Sequence, residues 1–406
     1  MPIRFEPTED QALMQQAVAS FAATLRTKIR EHEKARGLPA EIRKAAHEMG
    51  LGHIGLPEEV GGAGLGLTTA VLLEEEIAFG DPSAAFAFGG GGTFARAVIE
   101  LGTPAQAKAL LAPLVGANGF DTFGAVAWSE RKANRERPGL TTRATRLPSG
   151  GWRIDGEKAF VLDADRAHSF VVFAQVEDDK GWDGIGAFVV TRDTKGLGIG
   201  ARTTTLGLDL ASVGSIRLEG VEVADADRLA GNGDFGAALL RFFMKSALVV
   251  AARCVGLSRA AFEVTLEYCK DRKAFGKPVG HFQSIAFTLA DRAMDVDASR
   301  ALVWRAASAW DAGEGSKEDA LLHSAYAVSY ALEAAMRCGD DAVQLHGGAG
   351  FMRDYAVEKF MRDAKQLQVC MMTSEQADQL AATIELGRPI DLAMILPSAE
   401  SQSTLV

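Results

Sequence analysis

A multidomain α+β fold is predicted by three observations on the sequence. Helical periodicity runs through residues 1–119. Over 120–232 it gives way to short segments rich in β-branched and aromatic residues, separated by Gly, Asp and Asn, which is the pattern of antiparallel strands. Over 233–390 long helices with an apolar face return, and four of them fit an antiparallel bundle better than a solenoid, because no period of 20–50 residues repeats. The predicted order is therefore an N-terminal helical domain (1–119), a central β-barrel-like domain (120–232), a C-terminal four-helix bundle (233–390) and a tail (391–406).

In chain order, Thr8 and Gln11 match a capping box, and Leu13, Val18, Phe21, Leu25 and Ile29 then recur at helical spacing. A helix near 39–49 stops at Gly50, and the glycine-rich loop GLPEEVGGAGLG (55–66) follows. Further helices are expected over 67–79, 83–101 and 104–115. The strand candidates are TFGAVAW, GWRIDGEKAFVL, SFVVFAQV, GIGAFVV and SIRLEGVEV. The bundle helices are expected over 236–270, 281–312, 317–345 and 355–387.

With 406 residues, 48% hydrophobic and 24% charged, the chain has the composition of a globular protein able to bury a large core. A net charge of −10 argues against a nucleic-acid partner, which needs clustered cations. The four cysteines stand far apart, so neither a zinc ribbon nor a disulfide framework is expected. The N-terminal residues carry acidic groups where a signal peptide would be apolar, and no 18 apolar residues run uninterrupted. A cytoplasmic location and no membrane span are the corresponding expectations.

Generic motifs give no chemistry. GLGIGA (196–201) fits G-x-G-x-x-A but opens no helix, so a hairpin turn is expected there and no nicotinamide site. No P-loop, H-E-x-x-H or G-x-S-x-G string occurs, and the histidines show no metal-ligand spacing. Glu74, Glu75 and Glu76 read as a solvated helix face from which one must turn inward.

Several strings, in order on this three-part layout, resemble the acyl-CoA dehydrogenase family. GLPEEVGGAGLG resembles its G-L-P-x-x-x-G-G-x-G-L loop, RKAFGKPVGHFQ (272–283) its R-x-x-F-G…Q motif, and QLHGGAGFMRDYAVEKFMRDAK (344–365) its Q-x-x-G-G-x-G…E-x-x-x-R-D segment. The resemblance covers roughly residues 5–390 and implies FAD as cofactor, held between the β domain and the bundle and shared across a dimer. It implies Arg272 for the pyrophosphate, Phe275 and Gln283 for the adenosine half, and Gln344, Gly347 and Gly348 for the stretch near a neighbour's cofactor. AVAWSE (125–130) is similar to the strand that bonds the flavin ring, through Val126, Trp128 and Ser129, although the family's following G-S-D is replaced by RKANRERPGL. In GEKAFVLDA (156–164), Phe160 stands for the tryptophan that covers the flavin and Leu162 for a threonine that bonds its N5 edge. Thr373 matches the threonine of the family's Y-E-G-T motif.

The implied reaction is α,β-dehydrogenation of an acyl-CoA thioester, a carboxylate removing the α-proton as hydride leaves to flavin N5. Met371 occupies the usual glutamate position, and Ser246 the alternative position on the first bundle helix. Neither is a base for a carbon acid. Glu76 is the leading substitute. Arg241 and Lys245 are candidates to grip CoA, since Met244 and Ala247 replace the usual polar pair. The implied partners are an acyl-CoA, an electron-transferring flavoprotein, and further copies in a homodimer or tetramer. The alternative is a non-catalytic subunit that completes a paralogous partner's FAD site. A third reading is different chemistry on an acyl-CoA with flavin bound.

Overall fold

The computed structural model describes residues 6–89, 91–131, 139–231, 233–313 and 317–392. Most of the RKANRERPGL segment and nearly all of the 391–406 tail lie outside the described residues. The first block holds α1 (Glu9–Thr27), α2 (Ile29–Ala35), α3 (Ala40–Glu48), α4 (Leu67–Gly80), α5 (Gly92–Leu101) and α6 (Pro104–Val115). The Thr8–Gln11 capping box is present. Leu13, however, is 66% exposed. Its neighbours Gln11 and Gln15 hydrogen-bond Thr69 and Glu76, so a polar stripe of α1 meets α4 and Leu13 points the other way. The expected 83–101 helix is split, with a single turn at Ala84–Phe86 and α5 starting only after Gly91 at φ +88°.

Helix α4 is buried on all sides, Glu74, Glu75 and Glu76 included, which corrects the solvated-face expectation. Arg253 grips Glu74 through two nitrogens (2.8 and 3.1 Å), Arg259 and Arg300 hold Glu75, and Arg259 also holds Glu76. Buried carboxylates persist only when paired and hydrogen-bonded in this way. Gly256 lets the backbones close up, since a Cβ there would overlap the Glu75 carbonyl.

The middle block contains β1 (Gly124–Ala127), β2 (Arg143–Arg146), β3 (Trp152–Leu162), β4 (Ser169–Gln175), β5 (Ile185–Thr191), β6 (Leu197–Ile199), β7 (Val213–Val223) and β8 (Arg228–Leu229). The sheet order is β6-β7-β3-β2-β4-β5-β8, with β1 added beside β4. It is mixed rather than purely antiparallel: β1 runs parallel to β4 over four pairs, and β2 touches β4 in parallel at Arg143 and Gln175. GLGIGA forms the edge strand β6, entered through a turn at Gly196, not a hairpin tip.

Strands β4 and β5 are buried on both faces because each face serves a different core. Val171, Phe173, Ile185, Ala187 and Val189 belong to the core shared with the helices. Phe170, Val172, Ala174, Phe188 and Val190 belong to the interior of the β domain. Directly after β3, Asp163 sits at φ +60° and is buried, and burial lifts its carboxyl to about 6 against the pull of Arg166.

The last block begins with α7 (Phe235–Asp271), followed by the two-residue strands β9 (Lys273–Ala274) and β10 (Lys277–Pro278). Helices α8 (Gln283–Asp311), α9 (Lys317–Leu345), α10 (Val357–Leu367) and α11 (Ser374–Glu385) complete it. An 18-residue window of α7 has a mean hydropathy of 1.6 and is 72% buried inside the protein, as befits a core helix. The expected helix over 355–387 is broken: α10 ends, Met371 takes φ +66°, and α11 starts with Thr373 as N-cap in a capping box with Gln376. Capping explains the break, because a threonine hydroxyl that accepts from the third residue's N–H starts a helix rather than continuing one.

All three blocks meet at Lys359 on α10, which is fully buried and bonded to Asp81 (2.9 Å) and Asp363 (2.5 Å). Asp363 also accepts from the backbone N–H of Leu208, which lies in the β domain. Burial works to lower the pKa of Lys359, but Asp363 and Asp81 more than reverse this and hold it above the ordinary value. On the rim, Arg362 joins Glu33, Asp209 and Glu358.

Two outcomes follow for stability. Lys359→Met leaves two carboxylates buried without a counter-charge and should cost roughly 3–5 kcal/mol in equilibrium denaturation; a cost below 1 kcal/mol would refute the role given to the triad. Asp163 has a folded pKa above its unfolded one, so it binds extra protons when folded, and its ionisation erodes stability as pH rises from about 4 to about 6. Asp163→Asn should therefore gain on the parent across that window, by up to about 3 kcal/mol; a flat difference between the two would contradict the assignment.

Candidate functional site

The site is assembled where β1 leaves the sheet. Trp128 is buried in an aromatic nest, edge-on to Phe173 (5.0 Å) and to Phe243 of α7 (4.9 Å) and stacked on Trp182 (6.0 Å). Beyond Ser129 the chain is anchored by Glu130, a residue that sequence reasoning passed over. Glu130 is buried against Lys158 (2.8 Å) and accepts from both the N–H and hydroxyl of Thr141 and from the N–H of Thr142. Burial works to raise its carboxyl, yet Lys158 and the threonines hold it below the usual range. Lys158 also donates to the Trp128 carbonyl, and Ala159 N–H to that of Ser129. The signal available in the sequence was a glutamate just past one strand and a lysine within another strand of the same domain.

This anchorage sets the position of Phe160. The pairing of β3 with β7 slips twice, and within the second slip Phe160 adopts φ +54° and is 47% exposed. A bulky residue at positive φ is strained by roughly 1–3 kcal/mol, and such strain gathers at binding sites. Val126 and Leu162 are half-buried and pack against the shared core. Leu162 offers no hydroxyl. Ser129 is half-buried.

On α7, one turn beyond Phe243, Ser246 is 4% exposed and its Oγ has no partner among the described residues. Met371 is half-buried against the same core, and Met244, Ala247 and Met372 are fully within it. Arg241 and Lys245 both point at Glu100 of α5 (3.2 and 2.7 Å), and Lys245 also sits over the Trp310 ring. As CoA contacts they are thus shared with a carboxylate.

Glu76 does not meet the expectation of a substitute base. Its Oε1 accepts from Gln15 and Arg259 and its Oε2 from Arg259, so its charge is paired and three of its roughly four acceptor positions are taken. Arg259 also lies 16 residues past Phe243, about 24 Å along α7. Thr373, expected beside the cofactor, is engaged as the cap of α11.

A second group of predicted residues lies at the far end of α7. Arg272 caps the helix and is exposed, with neither a side-chain hydrogen bond nor an ion pair to any described residue. Phe275, between β9 and β10, is 96% exposed at φ +51° and edge-on to Phe282. Gln283 opens α8 and Gln344 ends α9, both exposed. Beside them Tyr268 stacks on His346 (4.2 Å) and donates to its carbonyl. Gly347 needs its φ of +56°, whereas a Cβ on Gly348 would meet nothing within 4 Å. The glycine at 348 is therefore not explained by contacts within one chain. Arg272 lies 29 residues beyond Phe243, about 43 Å along α7, so Trp128 and Arg272 of one chain cannot face the same bound molecule. No group of three metal-ligating side chains occurs among the described residues.

Known proteins resemble this chain over most of its length. Family models match for the acyl-CoA dehydrogenase N-terminal domain over residues 8–118, the middle domain over 125–221 and the C-terminal domain over 235–381. A probable acyl-CoA dehydrogenase of Bacillus subtilis (strain 168) is 32% identical over 92% of this chain and 97% of its own. The cyclohex-1-ene-1-carbonyl-CoA dehydrogenase of Geobacter metallireducens is 30% identical over 91% and 96%. The solved structure of butyryl-CoA dehydrogenase from Megasphaera elsdenii superposes with a TM-score of 0.86 at 28% identity, covering 95% of this chain and all of that one. The chain belongs to the acyl-CoA dehydrogenase family.

Proposed function

We propose that this chain is an FAD-dependent oxidoreductase acting on an acyl-CoA thioester, working as a dimer in which each site draws on both copies. The carrying observation is the pair of half-sites at opposite ends of α7. One is the Trp128–Ser129–Phe160 platform; the other is the unpaired Arg272 beside the fully exposed Phe275. A guanidinium suits a pyrophosphate, and an exposed aromatic on strained backbone suits stacking on a heterocycle. Both features fit FAD, and neither is satisfied within one chain.

In this reading Ser129 donates its hydroxyl to the ring system, Phe160 covers it, and the Lys158–Glu130 pair keeps both at fixed height. Arg272, Phe275 and Gln283 of the second copy hold the nucleotide half. Bound FAD supplies the hydride acceptor for α,β-dehydrogenation, and an electron-transferring flavoprotein would reoxidise it. The loss of the threonine hydroxyl at Leu162 removes one hydrogen bond from the N5 edge and alters flavin electronics.

One observation favours a second reading, in which the chain completes the FAD site of a paralogous subunit. Glu74, Glu76, Glu100 and Glu130 are all bonded to cations, and Met371 and Ser246 cannot accept a proton from carbon.

The visible spectrum of the purified protein, followed anaerobically as acyl-CoAs are added, tests both. The first reading expects a yellow dimer by light scattering whose flavin bleaches with a thioester, and Arg272→Ala should weaken FAD by roughly ten- to a hundredfold. A monomer that holds FAD equally well with or without Arg272 would refute it. A colourless protein that acquires FAD only on co-expression with a paralogue would establish the second.

A further inference from the structure

The buried pair formed by Glu130 and Lys158 does more than hold strands in place. Lys158 Nζ and Glu130 Oε1 lie 2.8 Å apart, with side chains 0% and 1% exposed, beside the Trp128–Ser129–Phe160 platform. Glu130 is a carboxylate by its hydrogen bonds alone. Oε1 accepts from Lys158 and from Thr142 N–H, and Oε2 accepts from the N–H and hydroxyl of Thr141. These fill its roughly four acceptor positions and leave none for a proton. A dry carboxylate needs a counter-charge, and Lys158 supplies it. The ammonium also donates to the Trp128 carbonyl (2.9 Å).

The two charges therefore bracket Ser129. The ammonium sits on the carbonyl of the residue before it, and the carboxylate belongs to the residue after it. Ala159 N–H, next to Lys158 in β3, closes on the Ser129 carbonyl itself (2.8 Å). Among the described residues, Glu130 is the one charge acting on Lys158. The adjoining Arg131 and Glu157 face one another at 3.7 Å with side chains 59% and 45% exposed, where water and salt screen them. The buried pair is not screened in this way, so its field extends along the platform.

We infer that Lys158 and Glu130 set the midpoint potential of the flavin held at Ser129: the ammonium raises it, the carboxylate lowers it, and their pairing keeps the two in balance. The inference rests on the FAD-dependent oxidoreductase reading and adds an electrostatic role to the mechanical one given there. Two-electron reduction brings negative charge to a flavin, so a nearby cation favours the reduced form and a nearby anion the oxidised one. Lys158 and Glu130 are positioning residues in this scheme, acting through their field and not by contact with the cofactor. Leu162, without a hydroxyl, leaves more of the tuning to them.

Anaerobic redox titration of the FAD-loaded protein against a reference dye tests this, with FAD affinity measured on the same samples. Lys158→Met leaves the carboxylate and should lower the reduced-to-oxidised ratio at a fixed potential about tenfold, a shift of about −30 mV for a two-electron couple. Glu130→Gln leaves the ammonium and should give a shift of about +30 mV. A lone buried charge can be lost by protonation or deprotonation, so the first shift should be fullest near about pH 8.5 and the second near about pH 6, each read against the parent at that pH. The double variant, Lys158→Met with Glu130→Gln, should return to the parent value. Mechanical loosening alone would move both single variants toward the potential of free FAD, hence in the same direction, and that result would overturn the inference. Single variants that stay within about twofold of the parent ratio would overturn it too. Where one single variant does not fold, the sign of the other's shift decides. A parent protein that binds no FAD would remove the oxidoreductase reading itself, and this inference with it.

Discussion

A single ammonium group, that of Lys359, holds the three blocks of this protein together. Asp81 comes from the end of α4, Asp363 from the same helix as Lys359, and Leu208 N–H from the β domain, and all converge on one dry point. In a low-dielectric interior none of these groups can be released alone without a large desolvation cost. The domains are therefore fixed relative to one another not by shape alone but by a charge balance that fails if any one block moves. The Arg362 network extends the same arrangement to the rim with weaker, more hydrated pairs.

The candidate site depends on that fixation. Trp128 reaches Phe243 only because β4 and β5 present alternate side chains to two cores, one inside the β domain and one shared with α7. The buried Glu130–Lys158 pair then ties the β1 exit to β3 and holds Ala159 N–H on the Ser129 carbonyl. The strained Phe160 backbone survives because both flanks are pinned. Rigid support on one side and unsatisfied, exposed residues on the other is what a cofactor platform requires. The same contrast recurs at the far end of α7, where the Tyr268–His346 stack lies beside a surface on which Phe275 and Arg272 are exposed.

Periodicity carried the chain a long way toward its structure. The strand segments and the helices α7, α8 and α9 could be read from local pattern, because apolar spacing and capping act over a few residues. The Thr8 cap was legible for the same reason. The break between α10 and α11 was missed because Thr373 was read as part of a motif and not as a capping residue. The parallel β1–β4 pair was missed because alternation reports which face a residue takes, not which strand lies beside it.

What the sequence by itself determined, then, is the order of helical and extended segments, together with the motif residues that tie the chain to its family. Only the tertiary structure decided what the charged residues do. Glu74, Glu75 and Glu76 read as a solvated run until arginines 179 to 225 positions away were seen to hold them. Glu76 stood only as a candidate for a relocated base until Gln15 was found on one of its oxygens and Arg259 on both. The reason is physical: apolar burial follows local pattern, whereas the state of a charge depends on partners that only the folded chain brings within reach.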